Sequence, residues 1–415
     1  MVFLVGLAMG WDVRSWLRGN RGRATLLGVC PMSEEIVLAS FREAVATGFV
    51  PMFVVSPRQV DGDRGYTGWS QEGLMNFVRS AAEVVGYRGF WLVARDHGGP
   101  YQSVRDRGRS GVGLSEAMRY ALEMFAEDLR SGFSIIHVDA TEDPLGTLDV
   151  GEIARRTAEL IAYIEDVRLR ERLPEVYYEV GSEEVSGGVT EPKRLEDFIV
   201  LLKGRLACSG YEGAVDRLLF VVGQVGTTMR VDMVNSFVPE QARVLSETAY
   251  RHGLFLKVHY TDWLETSMLE QFPKLGVGAA NVGPEFAAAI VEALEELEME
   301  ESKIARKVDV EPSRIMEVIE EEAVEKAPWR MFAPKNLSGR ELEEYARANR
   351  REIALCVGRY VMKEPRVVEA RRRLYENIRR FGRIGDPQQY VVERVQKAIH
   401  RYVTAFNLQD MICWT

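Results

Sequence analysis

Short apolar runs of strand type alternate with longer segments of helical periodicity along most of the chain. The apolar runs cover residues 24–30, 50–56, 89–97, 133–139, 176–183, 217–224, 254–259 and 275–283. Helical patterns follow them over 34–46, 71–85, 114–129, 149–167, 192–206 and 239–252, and a last one opens at Gly283-Pro284. Eight strand-then-helix units in about 300 residues are typical of a (β/α)8 TIM barrel, which we predict for residues 1–297.

The composition changes after Leu297. An acidic stretch, Glu295–Ser302, is followed by helical patterns that prolines interrupt. The segments 340–361 and 367–380 keep helical periodicity and carry many charges. We therefore predict that residues 298–415 form a helical C-terminal appendage packed on the barrel, as an oligomer contact or a lid.

The net charge and the cysteine content limit the expected binding partners and the expected cellular compartment. The formal net charge of −9 gives no electrostatic footprint for nucleic acid or an anionic membrane, so neither is an expected partner. The four cysteines are scattered without CxxC spacing, which suits a reducing compartment. The apolar start, Met1–Gly10, lacks a basic segment before it and is too short for a membrane span. These features predict a cytoplasmic protein.

Polar residues stand at the C-terminal ends of the predicted strands, where (β/α)8 barrels carry their chemistry. They are Cys30, Ser56, Asp96, His97, His137, Asp139, Glu179, Glu183, Gln224, Lys257, His259 and Asn281. Three of the five histidines belong to this set and lie beside carboxylates. Imidazoles with carboxylates suit a divalent transition metal, and a glutamine oxygen can complete the ligands. Zinc, manganese, nickel and cobalt all remain open as the cofactor.

Asp96 and His97 are adjacent, and neighbouring residues of a regular strand point to opposite faces. Both can face the barrel mouth only if the strand geometry breaks. Gly98-Gly99 supplies the conformational freedom for such a break.

Several motifs occur in one order along almost the full chain. They are Gln59 with Gly65-Tyr-Thr-Gly68, Asp96-His97-x-Gly99-Pro100, Gly132-Phe-Ser-x-Ile-His-x-Asp-Ala140, Gly181-Ser-Glu183, Gly187-Gly188, Gln224, His259-x-Thr-Asp262 and Val282-Gly-Pro284. In these motifs the chain resembles the tagatose-6-phosphate kinase-like family, better described as the Z, or non-catalytic, subunit of class II tagatose-1,6-bisphosphate aldolase. The chain has no GxxxxGK[ST] loop and no kinase signature, so we set phosphoryl transfer aside.

The resemblance to class II aldolases implies roles for individual residues. His97 and His259 would bind the metal, and Glu183 would be a further ligand or base. Asp96 would move a proton on and off the C4 hydroxyl of a ketose, with Glu183 or Asp139 as the alternative proton carrier. Gln224 stands where those aldolases carry a third metal histidine, a departure compatible with a subunit that only supports a partner.

The resemblance implies cleavage and re-formation of the C3–C4 bond of a ketohexose phosphate. Release of the aldehyde would make the protein a tagatose-1,6-bisphosphate aldolase. Re-addition to its other face would interconvert fructose 6-phosphate and tagatose 6-phosphate, the reaction we favour. A non-catalytic subunit that stabilises an aldolase partner, and a homo-oligomer, remain open.

Substrate contacts are expected from strand tips, loops and the appendage. The candidates are Ser56, Gln59, Lys257, Asn281, Gly283 and Arg359. Backbone donors at Gly283-Pro284 and a loop arginine (Arg58, Arg105, Arg107 or Arg109) would suit a phosphate. A Schiff base on Lys257 is the alternative mechanism, but nearby carboxylates would keep that amine protonated and therefore unreactive.

Overall fold

The computed structural model describes residues 12–103, 105–106, 109, 111–182 and 188–411. Eight parallel strands close into a barrel in sequence order. No strand extends more than one residue beyond its predicted apolar run. The strands are β1 Leu26–Val29, β2 Met52–Val55, β3 Leu92–Gly98, β4 Ile135–Val138, β5 Tyr177–Gly181, β6 Leu218–Val222, β7 Phe255–Val258 and β8 Ala279–Val282. The (β/α)8 prediction is confirmed.

Helices follow the strands around the barrel and then continue beyond it. In the part of the chain that the structure describes they are α1 Val13–Asn20, α2 Glu34–Thr47, α3 Gln71–Val85, α4 Leu114–Ser131, α5 Val150–Glu171, α6 Pro192–Cys208, α7 Glu212–Asp216, α8 Pro239–Arg251, α9 Thr266–Leu269, α10 Gln271–Lys274, α11 Pro284–Ala305, α12 Ile315–Lys326, α13 Gly339–Ala348, α14 Arg350–Val357, α15 Pro365–Phe381 and α16 Pro387–Ala405. Two 3₁₀ turns, Trp329–Phe332 and Gly358–Tyr360, join the later helices. Within the described ranges, no helix combines the length and apolar content needed to cross a bilayer.

The amphipathic helix α1 was not predicted. Its Val13 and Leu17 are buried, and Arg14 donates to the carbonyl oxygens of Leu218 and Gly253. Those carbonyls stand where β6 and β7 begin, so α1 lies at the N-terminal end of the barrel, opposite the strand tips. The site is therefore built at the other end.

The later helices pack on the barrel helices. Helix α16 packs against both α2 and α11, and α12, α14 and α15 also pack around α11. His400 of α16 contacts Glu43 of α2 at 2.7 Å. Helix α11 runs from Pro284 to Ala305, so the boundary predicted at 297/298 falls inside a continuous helix.

A buried ion pair fixes the outer side of β3. Arg95 is fully buried, and its Nε and NH2 groups donate to the two carboxylate oxygens of Asp128 on α4, at 2.8 and 2.5 Å. Its NH1 group donates to the carbonyl oxygens of Val60, at 2.8 Å, and Val55. Because Arg95 points outward, the next residue, Asp96, points toward the barrel mouth.

Asp128→Ala would leave the buried guanidinium of Arg95 without its counter-charge. We expect a loss of about 3–5 kcal/mol in the free energy of unfolding, measured by urea denaturation. Glu123→Ala, which breaks the solvent-accessible ion pairs with Arg119 and Arg105, is the control, with an expected loss of about 1 kcal/mol or less. Equal losses in the two variants would contradict the structural role of the buried pair.

Candidate active site

A cavity of about 200 Å³ opens at the C-terminal ends of the strands. Strand tips contribute Asp96, His97, Asp139, His259 and Asn281 to its lining. The loop after β2 contributes Ser56, Arg58, Gln59 and Tyr66, and the C-terminal helical region contributes Phe332, Arg359 and Tyr360. The predicted appendage therefore forms part of the cavity wall.

The backbone at the end of β3 turns two adjacent polar side chains toward the cavity. His97 has a positive φ of 49°, a left-handed conformation that is uncommon outside glycine. The pairing of β3 with β4 shifts register between Arg95 and Gly98. A Cβ atom at Gly99 would lie 1.7 Å from the carbonyl oxygen of Asp139, so only glycine allows this approach of the two chains.

Asp139 orients the imidazole of His97. Its Oδ2 lies 2.6 Å from Nδ1 of His97, while Gln102 and Thr141 also donate to this carboxylate. Burial opposes protonation of His97, but the carboxylates of Asp96 and Asp139 outweigh it and raise its pKa to about 9. Burial alone would raise the pKa of Asp139, yet the hydrogen bond with His97 holds it well below its usual range.

Glu179 orients His259 in the same way. Its Oε1 lies 3.1 Å from Nε2 of His259, and its Oε2 accepts from Nζ of Lys257 at 2.5 Å. Burial would raise the pKa of Glu179, but the charge of Lys257 prevails and lowers it to about 2. Burial lowers the pKa of His259. Glu179 is therefore a carboxylate that accepts from Nε2–H of a neutral imidazole.

The two imidazoles meet at the cavity wall. Nε2 of His97 and Nδ1 of His259 are 3.1 Å apart, and each ring is held at its other nitrogen by a carboxylate. Metal-binding histidines commonly have this arrangement, because the carboxylate fixes the tautomer and frees the opposite lone pair. Two nitrogens about 2.1 Å from one tetrahedral metal ion would lie roughly 3.4 Å apart. His97, with a pKa of about 9, carries a proton on Nε2 at neutral pH, and a divalent cation bound between the two nitrogens would displace that proton.

A second group of possible ligands shares His259 with this pair. Asp96, His137, Glu179 and His259 are buried, and each offers one ligand atom within 4.8 Å of the others. This group would use Nε2 of His259, the nitrogen opposite to the one that contacts His97. Nδ1 of His137 already accepts from the backbone N–H of His97, at 3.1 Å. The two arrangements therefore make different use of the same histidine.

Asp96 is an ionised carboxylate at the cavity wall. Its Oδ1 accepts from the amide of Asn281 at 3.3 Å and lies 3.4 Å from Nε2 of His259. Burial would raise its pKa, but His259 and His97 lower it far more, well below the usual range. Asp96 is therefore ionised, which is the state in which a carboxylate can accept a proton from a ligand in the cavity.

The remaining predicted site residues are divided between the cavity and the interior. Ser56 and Gln59 line the cavity, where the N–H of Ser56 donates to Oε1 of Gln59 at 2.8 Å. Lys257 and Gln224 are buried, and neither lines the cavity. The N–H of Gln224 donates to Oγ1 of Thr190, and its carbonyl oxygen accepts from the N–H of Thr190. Glu183 and Arg107 lie outside the described residues.

The N–H of Gly283, predicted as a phosphate donor, already has an acceptor. It donates to Oδ1 of Asp262 at 2.9 Å, and the N–H of Glu285 donates to the same oxygen at 2.8 Å. Asp262 thus satisfies the first donors of α11. It lines the cavity, and sequence reasoning gave it no role although it closes the His259-x-Thr-Asp262 motif.

His137 and Glu179 are the other two residues whose part in the site sequence reasoning missed. Both were recognised as strand-tip residues, but neither was assigned to the metal site. Their positions on adjacent strands were the available signal, because His137 pairs in register with Glu179. Residues in register on neighbouring parallel strands share a face and a height in the barrel.

Known proteins resemble this chain along most of its length. The family model described as D-tagatose-1,6-bisphosphate aldolase subunit GatZ/KbaZ-like matches residues 17–404. A D-tagatose 6-phosphate 4-epimerase from Agrobacterium fabrum is 29% identical over 291 residues, covering 66% of this chain and 67% of the relative. A D-tagatose-1,6-bisphosphate aldolase subunit GatZ from Klebsiella pneumoniae is 26% identical over 312 residues, covering 71% of each chain.

Among solved structures, one from Sinorhizobium meliloti, described as a "probable tagatose 6 phosphate kinase", has a TM-score of 0.75. It is 21% identical, and the match covers 92% of this chain and 100% of the other. At this identity the likeness shows the fold alone.

The raised pKa of Asp262 should make the free energy of unfolding depend on pH. Burial is the main reason that its pKa is raised, from 3.8 to about 7. Between these values the native state holds a proton that the unfolded chain has released, so this group lowers the free energy of unfolding as pH rises from 4 to 7. The loss is at most about 1.4 kcal/mol per pH unit.

Asn at position 262 does not titrate, and its side-chain oxygen can accept the same two hydrogen bonds. We expect the free energy of unfolding of Asp262→Asn, relative to the unsubstituted protein, to increase from pH 4 to pH 7 and then level off. Urea denaturation at four pH values measures this difference. A difference that stays constant with pH would refute the buried, protonated state.

Proposed function

This chain belongs to the D-tagatose-1,6-bisphosphate aldolase subunit GatZ/KbaZ-like family, and from that premise we propose that it breaks and re-forms the C3–C4 bond of a ketohexose phosphate. The reaction we propose is 4-epimerisation between fructose 6-phosphate and tagatose 6-phosphate. The observation that carries the proposal is one shared cavity wall, where the carboxylate of Asp96 stands beside the carboxylate-oriented imidazoles of His97 and His259.

His97 and His259 are the residues proposed to hold a divalent cation, through Nε2 and Nδ1 respectively. Zinc, manganese, nickel and cobalt all suit imidazole ligands with oxygen donors. Such a cation supplies Lewis acidity toward the carbonyl and hydroxyl oxygens of a ketose. Glu183 remains a proposed further ligand or base because it follows β5 closely. Asp139 is assigned the orientation of His97, since its carboxylate is occupied by four hydrogen bonds.

Asp96 is proposed as the proton carrier. Its carboxylate takes the proton of the C4 hydroxyl, the C4–O bond becomes a carbonyl, and the electron pair of the C3–C4 bond passes to an enediolate of C2 and C3. The aldehyde then turns its other face and re-adds, and Asp96 returns the proton to the C4 oxygen. Asn281 steadies Asp96 by donating to Oδ1. No oxidant or reductant is consumed.

The Schiff-base alternative finds little support in the position of Lys257. Its side chain is fully buried, pairs with Glu179 at 2.5 Å, and does not line the cavity. An ammonium held in an ion pair lacks the lone pair that attacks a carbonyl. We assign Lys257 to the support of Glu179, which in turn orients His259.

A second candidate function follows from the relatives that are named as aldolase subunits. The same bond cleavage, with release of the aldehyde, would give tagatose-1,6-bisphosphate aldolase activity, alone or with a partner subunit. The two candidates differ only in the fate of the aldehyde. Formation of free triose phosphate would therefore identify the aldolase reaction.

The test is to incubate the purified full chain with fructose 6-phosphate and follow tagatose 6-phosphate by NMR. We expect conversion in the presence of a divalent ion and its loss after chelation, because the cation activates the carbonyl. We expect Asp96→Asn to lower the rate roughly a hundredfold or more, the range for removing a general acid or base.

Elemental analysis of Asp96→Asn is the control, and retained metal would separate the proton carrier from a ligand. Absence of turnover by the unsubstituted chain would refute the epimerase assignment. Turnover that survives full chelation would refute the metal-dependent mechanism. Near-normal rates in Asp96→Asn would move the proton transfer to another group.

A further inference from the structure

We infer that Arg359, carried by the C-terminal helical region, binds the phosphate of the substrate and makes that region part of the active site. This inference rests on the proposed function for the nature of the substrate. It extends that proposal by assigning the phosphate to one buried guanidinium rather than to the N-terminus of α11 or to the loop arginines.

Within the described ranges, the buried guanidinium of Arg359 has no carboxylate at ion-pair distance, although its charge acts to lower the pKa of Asp262. The residue is 8% exposed, lines the cavity, and belongs to the 3₁₀ turn Gly358–Tyr360. Its NH1 group donates to the carbonyl oxygen of Cys356, and its NH2 group contacts Sδ of Met229 at 3.7 Å and the hydroxyl of Tyr360 at 3.5 Å. None of these three acceptors is a carboxylate. Nε has no hydrogen-bond partner among the described residues.

A buried cation in such surroundings is costly unless an anion compensates it. Arginine is also the side chain best suited to phosphate, because its planar fork offers parallel donors to two oxygens. The unused Nε and the weakly engaged NH2 group could form such a fork. The aromatic rings of Tyr66 and Tyr360 pack 4.5 Å apart beside it, and both residues line the cavity. The surroundings of Arg359 therefore fit an anionic group at the end of a sugar.

The other positions that could bind phosphate are less suitable. At the N-terminus of α11, the donors of Gly283 and Glu285 are already satisfied by Asp262. Arg105 pairs with Glu123 at 3.0 Å. Arg58 lines the cavity but is more exposed than Arg359, so its charge is better screened by water. Arg359 is the better-desolvated of the two arginines.

The position of Arg359 depends on contacts between the C-terminal region and the barrel. A Cβ atom at Gly358 would lie 3.2 Å from Cγ2 of Val291, which shows how closely this turn packs on α11. Lys363 donates to the carbonyl oxygen of Thr67, in the loop that also carries Tyr66. These contacts hold Arg359 in the wall of the cavity that the strand-tip residues also line.

The test is isothermal titration of the full chain with fructose 6-phosphate and, separately, with inorganic phosphate. We expect Arg359→Met to weaken binding of fructose 6-phosphate at least ~30-fold and to abolish measurable binding of inorganic phosphate, because both anions lose their principal charged donor. Arg359→Lys should recover part of the affinity, since it restores the charge without the fork. Arg58→Met is the matched control and should weaken binding less than threefold, roughly.

Thermal unfolding of each variant shows whether it is folded. If Arg359→Met does not fold, the comparison between Arg359→Lys and Arg58→Met decides, and the lysine variant must bind more weakly. The inference is overturned if Arg359→Met binds both anions like the unsubstituted chain, if neither anion binds the unsubstituted chain, or if Arg58→Met causes the larger loss. Because binding is measured rather than turnover, tight binding without epimerisation would refute the proposed reaction and leave the phosphate assignment intact.

Discussion

Two hydrogen bonds that imidazoles donate to buried carboxylates hold the site together. Asp139 fixes His97 at Nδ1, and Glu179 fixes His259 at Nε2, so the opposite nitrogens converge at 3.1 Å on the cavity wall. The carboxylates select one orientation for each ring, because an imidazole on a strand tip has several rotamers available. The carboxylates are in turn held by their own partners, among them Lys257, whose ammonium pairs with Glu179. The chemistry proposed for the cavity therefore depends in part on Glu179 and Lys257, which do not line it.

The backbone conformation at the ends of β3 and β4 positions these side chains. Gly99 lets β3 approach the end of β4 closely, and the left-handed conformation of His97 brings its ring to the same side as Asp96. The buried pair of Arg95 and Asp128 fixes the outward face of the same strand. A conformation that is unfavourable for one residue is thus maintained by contacts on both sides of it, as is common at functional sites.

The strand runs were predictable because a parallel barrel strand is buried on both faces and reads as continuous apolar sequence. The strand-tip residues followed from the fold. The sequence did not predict which of these side chains contact each other, because those contacts depend on side-chain directions that sequence spacing does not give. The hydrogen bond from Gly283 to Asp262 is one such case, because a helix N-terminus that looks open in sequence is satisfied by a carboxyl group from the loop after β7. Helix α1 was missed because it precedes the first strand and belongs to no repeating unit.

The central claim is that His97 and His259 hold a cation through their converging nitrogens. Anomalous scattering from crystals grown with manganese measures this directly. We expect one strong peak about 2.0–2.3 Å from both Nε2 of His97 and Nδ1 of His259. A peak enclosed by Asp96, His137 and Glu179, on the Nε2 side of His259, would place the metal in that buried group and contradict this assignment, as would the absence of any peak.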